Sequence, residues 1–421
     1  MPAHAAAPTP SSPVPTRTPA VKFIFFTLLL DVLGFGILIP VAPHLIEKLQ
    51  AAGTESAAGT YGLLIATYSA MQFIFAPILG SLSDRFGRRP VILISLLGSG
   101  LDYFAQALAP NLAILFFTRA INGISGANIP VCNAYIADVT PPEKRAAAYG
   151  MIGAAFGLGF IIGPLLGGWL GTIDIRLPFY AAGGLTLLNW LYGYFVLPES
   201  LPQDRRRPFS LLRANPLGTF VYLSRYPTVM GLAGALFMLN LAMFGLHATW
   251  VLYTAHRYHW NEFQTGMSLA LVGVGAAVVQ GGLARIIIPR LGEARSLLLG
   301  IAIGVASYVG YGLATEGWMI YCIIIVASLG GIAGPAGQAI ITNSVLPTEQ
   351  GEVQGALTSL QSIANIGGPL IGAGVFAYFI SERAPAYMPG ASYFVSALLA
   401  ALGLAAAAWA LRAYRSPARQ V

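Results

Sequence analysis

The sequence predicts an all-α membrane protein with twelve transmembrane helices, arranged as two pseudo-repeats of six helices each. Hydrophobic residues make up 56% of the 421 residues and charged residues only 9%, whereas about a quarter of the residues in soluble domains are charged. The apolar residues also form long runs, and a run of about 20 is enough for a helix to cross a bilayer. Soluble, disordered, collagen-like and coiled-coil proteins are therefore excluded.

Twelve apolar segments, separated by charged residues, proline or glycine, are predicted to span the membrane. They cover residues 21–46, 61–82, 90–109, 111–137, 144–170, 176–197, 227–254, 263–288, 295–313, 317–343, 351–379 and 389–411. The tail before them is rich in Pro, Ala, Ser and Thr and is predicted to be disordered rather than a signal peptide. We expect a cytoplasmic tail at 1–20, a six-helix bundle at 21–197, a polar linker at 198–226, a second bundle at 227–411 and a tail at 412–421.

The basic residues predict the orientation of these spans. Eighteen of the 23 Lys and Arg residues fall in loops and tails on the side of the N-terminus, four fall on the opposite side, and Arg119 lies within a span. The positive-inside rule then places both termini in the cytoplasm, in a multi-pass protein of the cell (inner) membrane. The net charge of +7 reflects this asymmetry, so nucleic acid is not an expected partner.

An internal repeat divides the chain into halves. Gly and Pro positions recur at a fixed offset of 205 residues: Gly87 and Gly292, Pro130 and Pro335, Gly163-Pro164 and Gly368-Pro369. One shift that relates several such positions indicates duplication. Two bundles related by an axis along the membrane normal are a recurrent transporter plan, with a binding cavity between them at mid-membrane. Rocking of the bundles would open that cavity to one side and then to the other.

Two motifs carry a resemblance to a known family. Residues 80–89 are GSLSDRFGRR, with the pattern GxxxDRxGRR, and span 5 repeats glycine before and after Pro164. The first resembles the signature loop of the major facilitator superfamily, and the second resembles the antiporter motif of its drug:proton subfamily. Stretches such as LLLDVLGFGILIPVAPHL look like the tetracycline efflux proteins. The resemblance implies the major facilitator fold and proton-coupled export of a lipophilic small molecule or drug.

The loop after span 2 contains the candidate gating residues. Asp84, Arg85 and Arg88 can form charge-assisted pairs at the helix end, with Asp138 as a further partner. The resemblance implies that such pairs hold the outward-facing state and break when the cytoplasmic side opens. The alternative is a loop that only sets the topology.

The glycines of span 5 are candidate packing residues. Gly159, Gly163 and Gly167 recur every four residues, and small residues at that spacing let two membrane helices approach closely. Pro164 is expected to bend the same helix. Their association with antiport comes only from the resemblance.

Ionisable side chains within spans are costly to bury and indicate function. Asp102 and Arg119 lie at the same depth on the hairpin of spans 3 and 4, so they are predicted to form a pair that couples protons or serves only structure. Asp31 lies near the middle of span 1, without a basic residue at its depth in that helix. Because a desolvated carboxyl group favours its neutral form, Asp31 is a candidate proton carrier, or else a structural hydrogen-bonding group.

Polar and aromatic side chains within spans are candidates for the substrate cavity, or else for hydrogen bonds between helices. They are Phe35, Tyr68, Gln72, Asn122, Gln338, Gln361 and Asn365.

The resemblance also implies a His in span 8 and an Asp in span 9, where this chain has Ala276 and Gly304. We therefore expect weak or no tetracycline resistance. The expected partners are a small-molecule substrate, protons and the lipid bilayer, for a monomer without cofactor or metal. The alternative is a transporter of another metabolite with no drug role. A membrane enzyme is not expected, because GxxxxGK[ST], HExxH and GxSxG motifs are absent, and the repeat argues against a receptor.

Overall fold

The computed structural model describes residues 18–50, 54–140, 142–206, 225–346 and 350–412. Most of the predicted N-terminal tail, the centre of the predicted linker and almost all of the C-terminal tail lie outside these ranges. Within them, all regular secondary structure is helical, as the composition predicted. The first helix begins at Thr18, which is inside the segment predicted to be a tail.

The first half contains eight α-helices. They are α1 (Thr18–Leu38), α2 (Ala42–Gln50), α3 (Thr54–Phe86), α4 (Arg88–Leu108), α5 (Leu112–Ser125), α6 (Ile129–Val139), α7 (Pro142–Ile173) and α8 (Leu177–Val196). The second half contributes eight more. They are α9 (Pro227–Tyr258), α10 (Glu262–Val278), α11 (Ala284–Leu291), α12 (Glu293–Leu313), α13 (Gly317–Leu329), α14 (Ala333–Asn343), α15 (Gln350–Ile380) and α16 (Ala391–Ala410).

Several predicted spans are broken helices rather than straight ones. The first span bends by 42° between α1 and α2, where Pro40 lacks the N–H that would continue the helix. The fourth span is interrupted between α5 and α6, just before Pro130, and the tenth between α13 and α14 by a short 3₁₀ turn at Gly330–Ile332. These two interruptions are equivalent under the repeat, which indicates that both halves use the same break in the same helix.

Each predicted span corresponds to a described helix or to a broken pair. Nine of the described helical segments are long and apolar enough to cross a membrane, and the bent pair α1–α2 raises this to ten. In α7 the apolar segment is Gly157–Ile173, which is shorter than the nine segments just counted. The full count of twelve stays a prediction for the chain as a whole.

The apolar core is distributed unequally along the bundle. We call the end that carries the α3–α4 corner, with Arg85 and Arg88, the arginine-rich end. At the opposite end a single buried cluster joins both halves and includes Val41, Tyr61 and Trp250. Toward the arginine-rich end each half has its own separate buried cluster. The two halves are therefore sealed together at the opposite end.

Two helix pairs form the most extensive contacts between the halves. Helix α7 packs along α10, and α3 packs along α15. A Cβ atom on Gly62 of α3 would lie 2.7 Å from Cβ of Ala373, and one on Gly168 would lie 2.5 Å from the Glu262 carbonyl oxygen. Both close approaches are near the opposite end, which agrees with the position of the shared cluster.

Candidate functional site

A cavity of about 510 Å³ lies between the two halves. Pockets that hold drug-sized ligands have volumes of about 300–1,000 Å³, so its size fits a small molecule. Its polar lining among the described residues is Asp31, Tyr61, Tyr68, Ser69, Gln72, Ser99, Tyr103, Gln106, Arg119, Asn122, Asn128, His247, Gln361 and Asn365. Apolar side chains of both halves form the remainder of the wall.

Asp31 lies on α1 and lines this cavity. Its carboxylate accepts a hydrogen bond from Nδ2 of Asn128 at 3.4 Å. Asn128 lies in the break between α5 and α6, where the interrupted helix leaves room for a side chain to reach α1. Asn128 was not among the site residues predicted from the sequence, although a polar side chain two residues before Pro130 within a span was a usable signal.

The predicted ion pair between Asp102 and Arg119 is not formed. Among the described residues no carboxylate oxygen comes within 4.0 Å of the Arg119 nitrogens. The Asp102 carboxylate instead accepts a hydrogen bond from Nε2 of Gln106 at 2.5 Å, one turn away on α4. The Arg119 guanidinium lies over the ring of Tyr68, with Cζ 4.5 Å from the ring centroid.

Asp102 and Arg119 nevertheless carry opposite charges on the adjacent helices α4 and α5, and such charges attract each other over distances longer than an ion pair. Arg119 lines the cavity, whereas Asp102 is buried behind the wall and only its partner Gln106 reaches the cavity. Their equal depth in the membrane stays a prediction, and the two side chains turn to different neighbours.

Aromatic and amide groups of the first half form one wall. The rings of Phe35 and Tyr68 stack with centroids 6.5 Å apart, and Phe160 lies 6.4 Å from Phe35. Gln72 donates from Nε2 to the Tyr68 hydroxyl at 2.9 Å and to the Gly126 carbonyl at 3.1 Å. These bonds fix Tyr68 beneath the guanidinium.

The second half supplies a wall without an acidic side chain among its described lining residues. Gln361 and Asn365, one turn apart on α15, both line the cavity, as does Asn122 of the first half. His247 and Phe244 of α9 lie on the same wall. This wall offers hydrogen-bonding groups and an apolar surface.

The prediction that Gln338 lines the cavity is wrong. Helix α14 buries Ala336, Gly337, Ile340 and Ile341 in the core of the second half. Because these residues define one face, Gln338 is turned to the exposed face and does not border the cavity.

The candidate gating residues meet at the α3–α4 corner. Arg88 lies between two carboxylates, with Nη1 2.6 Å from Oδ1 of Asp84 and Nε 3.3 Å from Oδ2 of Asp138. Nη1 also donates to the Ser83 hydroxyl at 2.5 Å. Arg85 is exposed and stacks over Phe86 instead. The contacts join α3, α4 and α6 within one half.

A further group at this corner, Glu199, was missed by the sequence analysis. Its carboxylate accepts backbone N–H bonds from Arg88 at 2.9 Å and Arg89 at 3.3 Å, which caps the N-terminus of α4. Gly87 precedes that helix at φ 106°, in a region that favours glycine. A Cβ on Gly87 would lie 2.8 Å from Cδ of Glu199.

The glycines of α7 form the seam with α1. Cβ atoms placed on Gly159, Gly163 and Gly167 would all clash with α1, the last with the backbone of Ile37. This is the close approach that the four-residue spacing predicted. The other face of the same helix contacts the second half, where a Cβ on Gly266 of α10 would clash with the Pro164 carbonyl.

Neither Ala276 nor Gly304 borders the cavity. The part of the chain that the structure describes also contains no group of three or more His, Cys, Asp or Glu side chains that could hold a metal ion.

The sequence profile and the similar proteins all point to one family. The sequence profile of the Major Facilitator Superfamily matches residues 24–369. The chain is 39% identical over 380 residues to the class C tetracycline resistance protein of Escherichia coli, covering 90% of this chain and 95% of that protein. It is 35% identical over 357 residues to the class B tetracycline resistance protein of Escherichia coli, covering 85% and 88% of the two chains.

Solved structures share the fold. The human organic anion transporter TETRAN superposes with a TM-score of 0.69 at 26% identity, over 93% of this chain and 99% of that one. A bacterial homologue of the human lysosomal transporter Spinster, in an inward-facing and occupied conformation, gives a TM-score of 0.76 at 17% identity over 96% and 99% of the chains.

Proposed function

The chain belongs to the major facilitator superfamily as a proton-coupled drug exporter, and we propose that Asp31 carries the proton and the cavity between the halves holds the drug. The family predicted from the signature loop is thereby confirmed. A small-molecule substrate follows from this membership, since members of the superfamily act on small molecules.

The observation that carries the proposal is the position of Asp31 on the cavity wall, where the neutral amide of Asn128 is its hydrogen-bond donor among the described residues. A carboxylate in a membrane helix is costly unless it has a role, and this one is accessible to a proton and to a substrate in the same space. Proton binding and substrate binding can then exclude each other, which is the requirement for exchange.

The described conformation supports entry of the substrate into the cavity from the arginine-rich end. The halves are sealed at the end opposite to the arginine-rich end, and their cores are separate toward the arginine-rich end. The positive-inside rule assigns the arginine-rich end to the cytoplasm. In this conformation the cavity accepts substrate from the cytoplasm, and both termini lie on that side.

The corner around Arg88 serves the conformational change. The resemblance implied that its ion pairs break when the cytoplasmic side opens, but the pairs with Asp84 and Asp138 are present in this state, because both acids lie within the first half. They keep α3, α4 and α6 together as one rigid unit while the halves rock. The step that opens or closes the cytoplasmic side then involves contacts between this unit and the second half.

A susceptibility screen tests the function. Expression of the chain in a sensitive strain should raise the inhibitory concentration of at least one amphipathic drug, and a proton uncoupler should abolish the effect. Resistance to no compound, together with proton-dependent flux of a metabolite, would favour a transporter of another metabolite.

The proton role of Asp31 has a matched test in energised vesicles. Asp31→Asn should abolish proton-driven export while the protein still reaches the membrane. Asp174→Asn, at an exposed aspartate before α8, removes the same charge outside the cavity and should leave export intact. Normal flux in Asp31→Asn would refute the assignment.

A further inference from the structure

The cavity contains a cation without an anionic partner. Arg119 is 9% exposed, and among the described residues its guanidinium makes no hydrogen bond and no ion pair. Its contacts are the face of the Tyr68 ring and the longer-range attraction to Asp102. A buried arginine normally saturates its five N–H donors, so this arrangement leaves donors available to a ligand.

The alternative partners for this guanidinium are already engaged. Asp102 is the acid at the same depth, but its carboxylate accepts the amide of Gln106. Asp31, the acid on the wall, accepts the amide of Asn128. Arg119 is also the only Lys or Arg among the described residues that line the cavity.

A second donor points to the same kind of ligand. The Ser69 hydroxyl is buried, lines the cavity and has no hydrogen-bond partner in the described part of the chain. Buried polar groups without partners are rare in proteins, and two on one cavity wall indicate that a ligand supplies the acceptors.

We propose that Arg119 binds an acidic group of the exported compound, such as a carboxylate or an enolate. A guanidinium and a planar acid form two parallel N–H···O bonds, a geometry that a lysine cannot reproduce. The apolar body of the ligand then lies between Phe35 of the first half and Phe244 of the second. The substrate class is therefore amphipathic organic acids, and this rests on the proposed function of the cavity.

A binding assay on purified protein in nanodiscs tests the proposal. The probes are biphenyl-4-carboxylate, its carboxamide and the corresponding benzylammonium, which share one apolar body and differ in the polar group. Calorimetry at low ionic strength and pH 7.5 should give a Kd for the acid at least about tenfold lower than for the amide or the amine.

Variants test whether Arg119 is the source of the preference for the acid over the amide. Arg119→Gln should bring the Kd of the acid to within about twofold of the amide, whereas Arg119→Lys should retain part of the preference because the charge remains. Arg290→Gln, which removes an exposed arginine on α11, is the control and should retain all of it.

Three results would overturn the proposal: no measurable binding of the acid, equal binding of acid and amide, or a preference that survives Arg119→Gln. The comparison of the three probes on the unmodified protein decides the matter even if Arg119→Gln does not fold. The failure of the proposed function has a different signature. Acid binding that depends on Arg119 without any transport would refute export, whereas drug export without acid preference would refute only the inference.

Discussion

The seam between α1 and α7 gives the sharpest structural prediction. An alanine at Gly167 would place its Cβ 2.6 Å from the carbonyl carbon and 2.8 Å from Cα of Ile37. Carbon atoms pack at about 3.5–4.0 Å, so α1 and α7 must separate by about 1 Å. Backbone cannot rotate away as a side chain can. The separation would also loosen the neighbouring contacts of Gly159 and Gly163 with α1.

The same helix offers a matched control. Gly157 lies ten residues earlier on α7, and no described atom lies within 4 Å of a Cβ placed there. Gly167→Ala should cost about 1–3 kcal/mol from overpacking, whereas Gly157→Ala should cost nothing and can gain up to about 1 kcal/mol from helix propensity. The two variants should therefore differ by about 1–4 kcal/mol, although each adds one methyl group to one helix.

The assay is thermal unfolding in detergent, followed by fluorescence-detected size-exclusion chromatography. Gly167→Ala should unfold several degrees below the unmodified protein, and Gly157→Ala at or above it. Equal midpoints for the two variants would refute the reasoning, because the seam would then tolerate a side chain in place of the close backbone contact.

Three further predictions concern the corner, the buried charges and the substrate. Gly87→Ala forces φ 106° on an alanine and displaces Glu199, so it should cost about 1–3 kcal/mol and reduce flux in vesicles. Gly292→Ala, at φ 82° with no described atom within 4 Å of its Cβ, should keep more of the flux, and a ranking in the opposite order would contradict the role of the Glu199 cap. A double-mutant stability cycle of Asp102→Ala and Arg119→Ala should give a coupling of about 0.5–1 kcal/mol, since the groups interact without an ion pair, and strict additivity would show that they do not interact. A sensitive strain expressing the chain should gain little tetracycline resistance, because the described wall of the second half has no acidic group; strong resistance that depends on the proton gradient would contradict this expectation.

The fold could be predicted largely from the sequence, because helices in a bilayer must satisfy their backbone hydrogen bonds internally and must be long and apolar. The twelve predicted spans therefore coincide with described helices to within a few residues at most ends, the start of α3 being the main exception. The repeat and the signature loop could also be predicted from the sequence, because Gly87 and Gly292 share a backbone conformation that favours glycine and so explains the glycine at both positions.

The breaks within spans could be predicted only in part from the sequence. Pro40 and Pro130 lie beside two of the breaks, but a proline alone does not determine whether a helix bends or ends there. The 42° bend after Leu38 and the placement of Asn128 beside Asp31 depend on how neighbouring helices fill the space that the break leaves.

The partners of the polar side chains were decided by the tertiary structure. Counting residues gives the depth of a side chain in the membrane, because a helix rises by about 1.5 Å per residue. It does not give the direction in which the side chain points, which depends on how each helix is rotated against its neighbours. That rotation turns Gln338 out of the cavity and brings the Asp102 carboxylate within hydrogen-bond distance of the Gln106 amide. It leaves Arg119 facing the cavity, where its guanidinium has no hydrogen-bond or ion-pair partner among the described residues.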